Sequence, residues 1–451
     1  MAISPARAAA CEILLKVERD RSFSDELLHA ERFNKLSSID HGLTTDLVRG
    51  VLRWRSRLAE WAAEASSQKL ERLDPEVLVA LLLGVYQLKF LTRVPARAAI
   101  FESVELVKAA RKRSAASFVN AVLRKVAAGD GAAGTQPARD LFAAIEASPD
   151  PIALARNSAH PEWLVTRWIR CYGLAATRQI CIHDQHVPKT SIHVCEDEAL
   201  DLLARDGVKL GQGRLVSFAR TVVSGDITRT GVYLGRRVAI QDEGSQLVAL
   251  LVGRGNRILD CCAAPGGKAS LMARRNPGAL VLACELHVHR ALLLRKLVRM
   301  PNVRTVIADA RSLPFSLGFD RILADVPCSG TGTLARNPEI KWRLKPEDLG
   351  DLQKRQIAIL KSGLAQLVAG GQLVYSTCSM EREENEDVVE AVLDGSSDFT
   401  LVDCGTELAR LEREGEISAG GIETLVDGPW LRTIPGIHPC DGFFGAVIRR
   451  K

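Results

Sequence analysis

From about residue 236 onward, short apolar runs alternate with helix-like segments, and this alternation constrains the fold more than any other feature. The runs RILDCCA, LVLACE, VRTVIADA, FDRILADVPC and QLVYSTCS are each nearly continuous in apolar residues. Strands that are buried on both faces have this composition, and their alternation with helices indicates a parallel sheet covered by helices. The sequence therefore predicts a doubly wound α/β domain over 236–451, with ligands at the carboxyl ends of its strands. The closing run FFGAVIRR is expected to add an edge strand.

The sequence before residue 236 lacks this alternation and predicts two further domains, joined by a linker. Residues 4 to about 127 carry apolar residues at spacings of three and four through five segments, which predicts an all-α bundle at 1–128. The stretch AAGDGAAGTQPARD is Gly-rich and poor in apolar residues, which predicts a linker at 129–149. Helix-like and strand-like segments then predict a small α+β module at 150–235.

The charge of the chain is concentrated in two regions. Residues 1–128 hold 21 Lys and Arg against 15 Asp and Glu, and residues 286–345 hold 11 against 4. Basic regions of this kind favour an acidic partner, of which nucleic acid is the commonest. Solvated helix faces explain such charge patterns about as often, so charge alone leaves both readings open.

Composition also bears on the compartment. No stretch reaches the roughly 18 consecutive apolar residues of a membrane span. The chain has eleven cysteines, and its first residues meet Glu12 and Lys16 too early for a secretion signal. We therefore expect reduced thiols, a cytoplasmic location and no membrane partner.

The turn after the first predicted strand, Asp260 to Lys268, reads DCCAAPGGK. Small residues and paired glycines allow the backbone to approach a ligand, and the N–H groups of the following helix face it. A dinucleotide fingerprint of the form G-x-G-x-x-G is absent. A phosphate-binding P-loop also fails, because Cys262 and Ala269 stand where that motif needs Gly and Ser or Thr.

The next three predicted strands end in carboxylates, namely Glu285, Asp309 and Asp325. A single acid at the end of a strand is more often a surface residue or a helix cap than a ligand-binding residue. Acids at the ends of three successive strands are more than surface residues and caps usually account for. A carboxylate at the end of the second strand suits the two hydroxyls of a ribose. Acidic residues at a site that has no phosphate-binding loop favour an adenosyl ligand without phosphates. This points to S-adenosyl-methionine.

Two cysteines, Cys328 and Cys378, also follow predicted strands of this sheet. Most cysteines in a reduced protein are small core residues, but these two lie where a doubly wound sheet binds its ligands. A helix predicted to begin near Met380 would favour a thiolate at Cys378, although three glutamates within 381–384 partly offset that effect.

A thiolate beside an S-adenosyl-methionine site has a well-defined use. Carbon 5 of a pyrimidine is a poor nucleophile, but addition of a thiolate to carbon 6 produces an enamine that attacks the methyl sulfonium. An acid near ring N3 stabilises the adduct, and a base then removes the carbon 5 proton so that the thiol leaves. The chain offers the acid, Asp325, and two thiols, and chemistry alone allows Cys328 or Cys378 as the nucleophile.

Three long motifs, DCCAAPGGK, DVPCSGTGTLARNPEIKW and LVYSTCSMEREENEDVV, resemble the signatures of the RNA cytosine-5 methyltransferases. QDEGSQL (241–247) and DGFFGAVIRR (441–450) extend the resemblance over 236–451. Upstream, LVRGVLRWRSRLAEW and FVNAVLRKV resemble the NusB-like RNA-binding domain. A chain with both parts is similar to the bacterial RsmB (Sun/Fmu) methyltransferases of small-subunit ribosomal RNA. The resemblance implies a NusB-like bundle, a Rossmann-like class I methyltransferase domain, S-adenosyl-methionine as cofactor and RNA as partner.

The resemblance also implies roles for individual residues. Cys378, in the T-C-S motif, is implied as the nucleophile, and Cys328, in the P-C-S motif, as the thiol that assists breakdown of the adduct. Asp325 is implied to contact the target base. The residues implied to bind S-adenosyl-methionine are Cys262, Ala263, Ala264, Pro265, Gly266, Gly267, Lys268, Glu285, Asp309 and Asp325.

This sequence departs from the family pattern at three positions, and none of the departures removes a reacting atom. Glu285 stands where the family commonly has Asp, Val326 where it often has Ala, and Arg382 where it often has Pro. The DNA cytosine-5 methyltransferases, which resemble this chemistry, use a P-C cysteine as nucleophile. The T-C-S resemblance nevertheless favours Cys378.

Two other functions stay open at this point. The same reaction on transfer RNA is the nearest alternative, and an inactive RNA-binding assembly factor is the other. Intact Cys378, Cys328 and Asp325 argue against the inactive factor. The sequence does not fix the oligomeric state.

Two weaker groups of residues complete the candidates. Five potential zinc ligands lie within 181–195, namely Cys181, His183, His186, His193 and Cys195. No C-x-x-C pair accompanies them, and two of them fall on one predicted strand, so we expect no metal site here. If the substrate is RNA, several basic residues are candidates for phosphate contacts. These are Arg53, Arg55, Arg57, Arg111, Lys112, Arg113, Arg336, Lys341 and Arg343.

Overall fold

The computed structural model describes residues 3–20, 22–30, 32–33, 35–66, 68–129, 137–418 and 420–451. The chain forms two compact units, of which the first comprises 1–187 and 334–344, and the second comprises 188–333 and 345–451. Among the described residues, no helix combines the length and the apolar character that crossing a bilayer requires.

The regular elements in the described part of the first unit are all helices, which confirms the predicted bundle. Its helix α4 is apolar on all sides and is buried at every position from Val77 to Gln87 except Leu78, as expected of a central helix. Helix α3 approaches α4 so closely that a Cβ at Gly50 would lie 2.0 Å from the Tyr86 ring. The helices before the second unit are α1 (Pro5–Asp20), α2 (Ser24–Leu28), α3 (Ser38–Ala65), α4 (Pro75–Phe90), α5 (Ala96–Ala109), α6 (Ala116–Ala128), α7 (Pro137–Glu146), α8 (Pro151–Ser158) and α9 (Glu162–Gln185).

The predicted boundaries of the linker and the middle module differ from those in the structure. Helix α7 lies inside the range predicted as a linker, of which residues 130–136 fall outside the described part of the chain. Helices α8 and α9 belong to the first unit rather than to the α+β module, which begins at Pro188. The reason is contact with α3, because Arg53 donates to the Asp184 carbonyl of α9 at 3.2 Å and Arg156 of α8 is ion-paired with Glu60 at 3.1 Å.

The second unit begins with the predicted α+β module. Its four strands form an antiparallel sheet in the order β2-β3-β1-β4. Helix α10 packs its apolar side on this sheet and is followed by Gly207 in the left-handed conformation, as the sequence predicts. The elements are β1 (Ser191–Val194), α10 (Glu198–Arg205), β2 (Lys209–Gln212), β3 (Ala219–Ser224), α11 (Gly231–Leu234) and β4 (Val238–Ile240).

A mixed sheet of nine strands forms the core of the second unit and confirms the predicted Rossmann-like fold. Its strand order is β11-β12-β13-β9-β8-β5-β6-β7, with β10 also paired to β13. Strands β5 to β9 are mutually parallel, and β13 runs antiparallel to β9. The chain order reverses between β5 and β8, so the strand ends at this point form the crevice where such sheets bind ligands.

The elements of this larger part are α12 (Glu243–Leu251), β5 (Arg257–Asp260), α13 (Gly267–Arg275), β6 (Leu280–Glu285), α14 (Val288–Leu297), β7 (Val303–Ile307), β8 (Phe319–Asp325), α16 (Asp348–Ala365), β9 (Leu367–Thr377), α17 (Glu386–Leu393), β10 (Phe399–Val402), α18 (Cys404–Arg413), β11 (Val426–Asp427), β12 (Trp430–Thr433) and β13 (Phe443–Arg450). Helix α15 (Ile340–Arg343) lies in the segment 334–344, which belongs to the first unit.

The closing strand β13 was expected at the edge of the sheet. It lies instead inside the sheet, because β9 pairs with one side of it and β10 and β12 pair with the other.

Glu243, in the QDEGSQL motif, holds a loop of the second unit in place. Its buried carboxylate accepts hydrogen bonds from three consecutive backbone N–H groups, those of residues 214–216, at 2.8 to 3.2 Å. The side chain therefore satisfies donors that burial would otherwise leave unpaired. This gives one residue of the motif a structural role.

The segment 334–344 follows the P-C-S motif in the chain and is anchored in the first unit by polar contacts. Lys341 Nζ donates to the Arg53 carbonyl at 2.8 Å, and Arg53 Nη2 donates to the Ala335 carbonyl at 2.8 Å. The Trp342 indole donates to the Leu52 carbonyl at 2.6 Å, and Glu339 accepts from the Ser24 N–H at 2.7 Å. Burial lowers the pKa of Lys341 to about 7.

These contacts overturn part of the expectation about RNA phosphates. Arg53 is 3% exposed and Lys341 is 2% exposed, and both are occupied by backbone carbonyls. The prediction of phosphate contacts is therefore wrong for these two residues, because both side chains are buried and hydrogen-bonded inside the unit. Arg55 is ion-paired with Glu18. The exposed Arg111 and Arg113 stay candidates.

The lowered pKa of Lys341 predicts a pH dependence of stability. In the unfolded chain a lysine titrates near pH 10.4, so between pH 7 and 10 the unfolded chain holds a proton that the folded chain has released. The free energy of unfolding should then rise with pH in this window, by up to about 1.4 kcal/mol per pH unit, and Lys341→Met should remove this contribution.

Calorimetric unfolding at several pH values between 6.5 and 9.5 measures the effect as a difference between the wild-type chain and the variant. Lys35→Met, at an exposed position of the same unit, is the control and should leave the pH dependence unchanged. Parallel curves for the wild-type and Lys341→Met chains would contradict the assignment.

Candidate active site

A cavity of about 460 Å³ opens at the carboxyl ends of the parallel strands. Its size is within the range of small-molecule sites, and it lies at the reversal of strand order. Seven of the predicted site residues line it, namely Cys262, Ala264, Glu285, Asp309, Asp325, Cys328 and Cys378. The structure therefore gathers residues from the ends of five strands, of which the first and the last, Cys262 and Cys378, lie 116 positions apart in the sequence.

The loop between β5 and α13 forms one wall of the cavity. Its Ala263 N–H donates to the Cys284 carbonyl at 2.7 Å, which ties the loop to the end of β6. Gly266 has φ of +115°, and a Cβ there would lie 2.3 Å from Val298 and 2.7 Å from Leu294. This position therefore requires glycine, both for its conformation and for the close approach of α14.

Asp260, at the end of β5, is buried beneath this loop. It is 1% exposed, and its carboxylate accepts a hydrogen bond from the Cys262 N–H at 3.3 Å. Burial and the nearby Asp325 raise the pKa of Asp260 to about 7. A carboxyl group that is partly protonated near neutral pH marks this edge of the sheet as a functional region.

Glu285 and Asp309 are held in place by neighbouring groups. Glu285 is 5% exposed and accepts from the His287 N–H at 2.9 Å. Arg290, which the sequence did not single out, donates to the Ala264 carbonyl at 3.2 Å and lies 3.7 Å from Glu285. The Asp309 carboxylate is paired with Arg311 at 2.6 Å, and this contact lowers the pKa of Asp309.

Lys268 was predicted to bind the cofactor, but its ammonium contacts Asp325. The Nζ atom lies 2.8 Å from Asp325 Oδ2, while Asp325 Oδ1 accepts from the Ser376 hydroxyl at 2.9 Å. Burial alone would lower the pKa of Lys268, but the Asp325 carboxylate outweighs it and the net shift is upward. A charged Lys–Asp pair therefore stands at the cavity beside the two cysteines.

The two cysteines are in direct contact. Cys328 Sγ and Cys378 Sγ are 3.4 Å apart. The hydrogen bond to Cys378 and burial both raise the pKa of Cys328 well above its usual value. Cys328 therefore keeps its proton to a higher pH than an ordinary thiol, and the two sulfurs lie within hydrogen-bond distance of each other.

The segment after Cys378 differs from the prediction. No helix begins near Met380, because residues 382–384 form a single 3₁₀ turn and α17 begins only at Glu386. The argument that a helix dipole favours a thiolate at Cys378 is therefore wrong. The buried glutamate at the end of that turn, Glu384, instead contacts both cysteine loops, which spacing in the sequence gave no means to foresee.

The residues considered for zinc do not converge. Cys181, His183 and His186 belong to the first unit, and His193 and Cys195 belong to the second, where the Cys195 sulfur lies 3.5 Å from His193 Nδ1. Within the described part of the chain, no group of three or more His, Cys, Asp or Glu side chains is arranged to hold a metal ion.

Comparison with known proteins agrees with this geometry. A model of the family described as 16S rRNA methyltransferase RsmB/F matches residues 247–449, and the NusB family matches residues 4–128. The chain is 34% identical to a probable ribosomal RNA small subunit methyltransferase B of Bacillus subtilis, over 99% of this chain and 98% of that one. The chain belongs to the RsmB/F family of 16S rRNA methyltransferases. The predicted family, its NusB-like domain and its cofactor, S-adenosyl-methionine, are thereby confirmed.

Other relatives and solved structures agree. Ribosomal RNA small subunit methyltransferase B of Pseudomonas putida is 31% identical over 91% of this chain and 93% of its own length. The crystal structure of PH0851 superimposes with a TM-score of 0.77 at 20% identity, covering 99% of both chains. NSun6 from Pyrococcus horikoshii, solved with SFG, gives 0.55 at 18% identity over 65% of this chain and 99% of that one. At these identities the two structures bear on the fold alone.

The geometry of the loop predicts the effect of one substitution on cofactor binding. Gly266→Ala forces a side chain into a left-handed conformation and against Val298, at a cost of about 1–3 kcal/mol. The displaced loop should lower the affinity for S-adenosyl-homocysteine about tenfold or more.

Isothermal titration calorimetry measures this affinity directly. The control is Gly278→Ala, at a glycine where a Cβ meets no atom within 4 Å. Equal affinities for the Gly266→Ala and wild-type chains would show that the loop does not form the cofactor site.

Proposed function

We propose that this protein transfers a methyl group from S-adenosyl-methionine to carbon 5 of a cytidine in 16S ribosomal RNA, through a covalent adduct of Cys378 with cytosine carbon 6. The observation that carries the proposal is the contact of two thiols, Cys328 and Cys378, beside Asp325 at one cavity. Two adjacent thiols and a carboxylate match the three tasks of this reaction, which are addition, base activation and elimination.

The residues of the cavity suit S-adenosyl-methionine. Glu285 and Asp309 offer carboxylates to the hydroxyl and amino groups of an adenosyl ligand, and the loop 262–268 brings backbone close to it. The absence of a phosphate-binding motif in that loop agrees with a ligand that lacks phosphates. The bound cofactor supplies an electrophilic methyl group on a sulfonium.

Different side chains of the protein carry out the successive steps on the cytosine ring. Cys378, as the thiolate, forms a bond to carbon 6, and the Lys268 ammonium, held by Asp325, gives a proton to N3, which stabilises the adduct. After carbon 5 is methylated, a base removes its remaining proton, and the electrons of that C–H bond restore the double bond between carbons 5 and 6. The bond from Cys378 to carbon 6 breaks, sulfur leaves as the thiolate, and N3 returns its proton to Lys268. Cys328 lies 3.4 Å from the nucleophile and is the group placed to assist this elimination.

Family membership and the helical unit support the proposed target within RNA. The family model describes enzymes of 16S rRNA, and the NusB-like part is similar to an RNA-binding domain. We expect the protein to act in the cytoplasm, where ribosomal RNA is processed. Transfer RNA is the alternative that the first experiment separates.

The experiment that tests the proposal incubates the protein and radiolabelled S-adenosyl-methionine with RNA from a strain lacking it. Label recovered as 5-methylcytidine in the 16S fraction is the expected result. Label in transfer RNA would overturn the target, and label in another nucleoside would overturn the chemistry. Absence of label on both naked RNA and small-subunit particles would overturn the proposed function.

Substitution of each cysteine predicts a different outcome. Cys378→Ala should abolish turnover and form no protein–RNA adduct, because carbon 6 then has no nucleophile. Cys328→Ala should accumulate the adduct, visible on a denaturing gel as a slowly migrating species, because elimination is impaired. Cys171→Ala, at an exposed thiol of the first unit, is the control. An adduct in Cys378→Ala, with none in Cys328→Ala, would reverse the two roles.

A further inference from the structure

Glu384 joins the two loops that carry the cysteines. Its side chain is completely buried, and it lies six residues after Cys378 in the chain. Its carboxylate contacts the residue that directly follows each cysteine, Ser329 in one loop and Ser379 in the other. A single side chain thus connects two segments that lie 50 positions apart in the sequence.

Each carboxylate oxygen accepts two hydrogen bonds. Oε1 accepts from the Ser329 N–H at 2.8 Å and from Gln356 Nε2 at 2.9 Å. Oε2 accepts from the Ser379 hydroxyl at 2.5 Å and from the Ser329 hydroxyl. The two hydroxyl oxygens lie 3.1 Å apart, and Gln356 Nε2 also donates to the Pro327 carbonyl at 3.0 Å. The network therefore spans both sides of Cys328.

Further contacts fix the second loop to the first. The Gly332 N–H donates to the Cys378 carbonyl at 2.9 Å, and the Met380 N–H donates to the Thr331 hydroxyl at 2.9 Å. The Tyr375 hydroxyl donates to the Glu384 carbonyl at 2.6 Å, which ties the turn to strand β9. With the backbone of both loops held in this way, the separation of the two sulfurs is set at 3.4 Å.

Glu384 differs from Glu243 in what it joins. Its four donors, one backbone N–H, one amide and two hydroxyls, come from both cysteine loops and from α16. The donors to Glu243 all belong to one loop away from the cysteines. Removal of the Glu384 carboxylate would therefore leave buried donors unpaired on both sides of the cysteine pair.

We propose that Glu384 is a positioning residue that holds the Cys328 thiol against the Cys378 sulfur. Its importance for turnover rests on the proposed function, whereas its effect on the thiol pair does not. In the free enzyme, Glu384 keeps the Cys328 sulfur in contact with the Cys378 sulfur at 3.4 Å, so that the two thiols are held as an unequal pair. During elimination it keeps Cys328 within reach of the adduct.

The first test measures the two thiols without RNA. The full-length protein is treated with iodoacetamide, and alkylation of the peptides containing Cys328 and Cys378 is followed by mass spectrometry. In the wild-type protein, Cys378 should react about tenfold faster than Cys328 or more. In Glu384→Ala, this ratio should fall towards one, because the two sulfurs are no longer held in contact. An unchanged ratio in the folded variant would overturn the proposal.

The second test measures turnover on the RNA that the wild-type enzyme methylates. Glu384→Ala should lower kcat about thirtyfold or more, while KM for RNA and the affinity for S-adenosyl-homocysteine change less than about twofold. Glu384→Gln retains the shape and an acceptor for the Ser329 N–H, so most of the loss should be rescued. If the wild-type enzyme methylates no RNA, the proposed function fails, but the alkylation ratio still decides the role of Glu384.

Glu243→Ala is the matched control for a merely structural effect. Glu243 is also a buried carboxylate of the second unit that accepts backbone N–H groups, and it does not line the cavity. Both variants are measured below their unfolding transitions. The proposal predicts that only Glu384→Ala changes the alkylation ratio and kcat. Equal losses in the two variants would assign Glu384 to stability alone.

Discussion

The parallel pairing of β8 with β9 is the interaction on which the candidate active site depends, because its register fixes which residues meet beyond the strand ends. Asp325 and Ser376 are paired across these two strands, and the Val326 N–H donates to the Ser376 carbonyl at 3.0 Å. Cys378 comes two residues after Ser376, directly beyond the end of β9, and Cys328 comes three residues after Asp325. A shift of the register by one residue would turn these side chains to opposite faces and separate the sulfurs.

Much of this arrangement is predictable from the sequence. The apolar runs identify the parallel strands because burial on both faces dictates their composition. Five candidate site residues directly follow those runs and are therefore predicted to lie at one edge of the sheet, namely Glu285, Asp309, Asp325, Cys328 and Cys378. The motifs add the family, and hence the cofactor and the class of substrate. All of these inferences rest on local patterns.

The features that escaped prediction depend on contacts between distant parts of the chain. The pairing of Lys268 with Asp325 spans 57 positions and leaves no local signal, while the predicted contact of Lys268 with the cofactor stays a prediction. Glu384 looked like one of several acids in a helical turn, and only the folded loops bring it to Ser329. The assignment of 334–344 to the first unit likewise depends on Lys341, whose charge suggested RNA and whose burial excludes direct contact. Basic residues near a motif are therefore weak evidence for phosphate contacts until their burial is known.

The central claim is that Cys378 forms a covalent bond to cytosine carbon 6 during methylation at carbon 5. RNA in which cytidine is replaced by 5-fluorocytidine tests it most directly, because fluorine at carbon 5 cannot be removed as a proton and the adduct persists. The trapped complex is digested, and the modified peptide is sequenced by mass spectrometry. The account predicts a methylated fluorocytidine attached to Cys378. Attachment at Cys328, or turnover of the fluorinated RNA without any adduct, would contradict it.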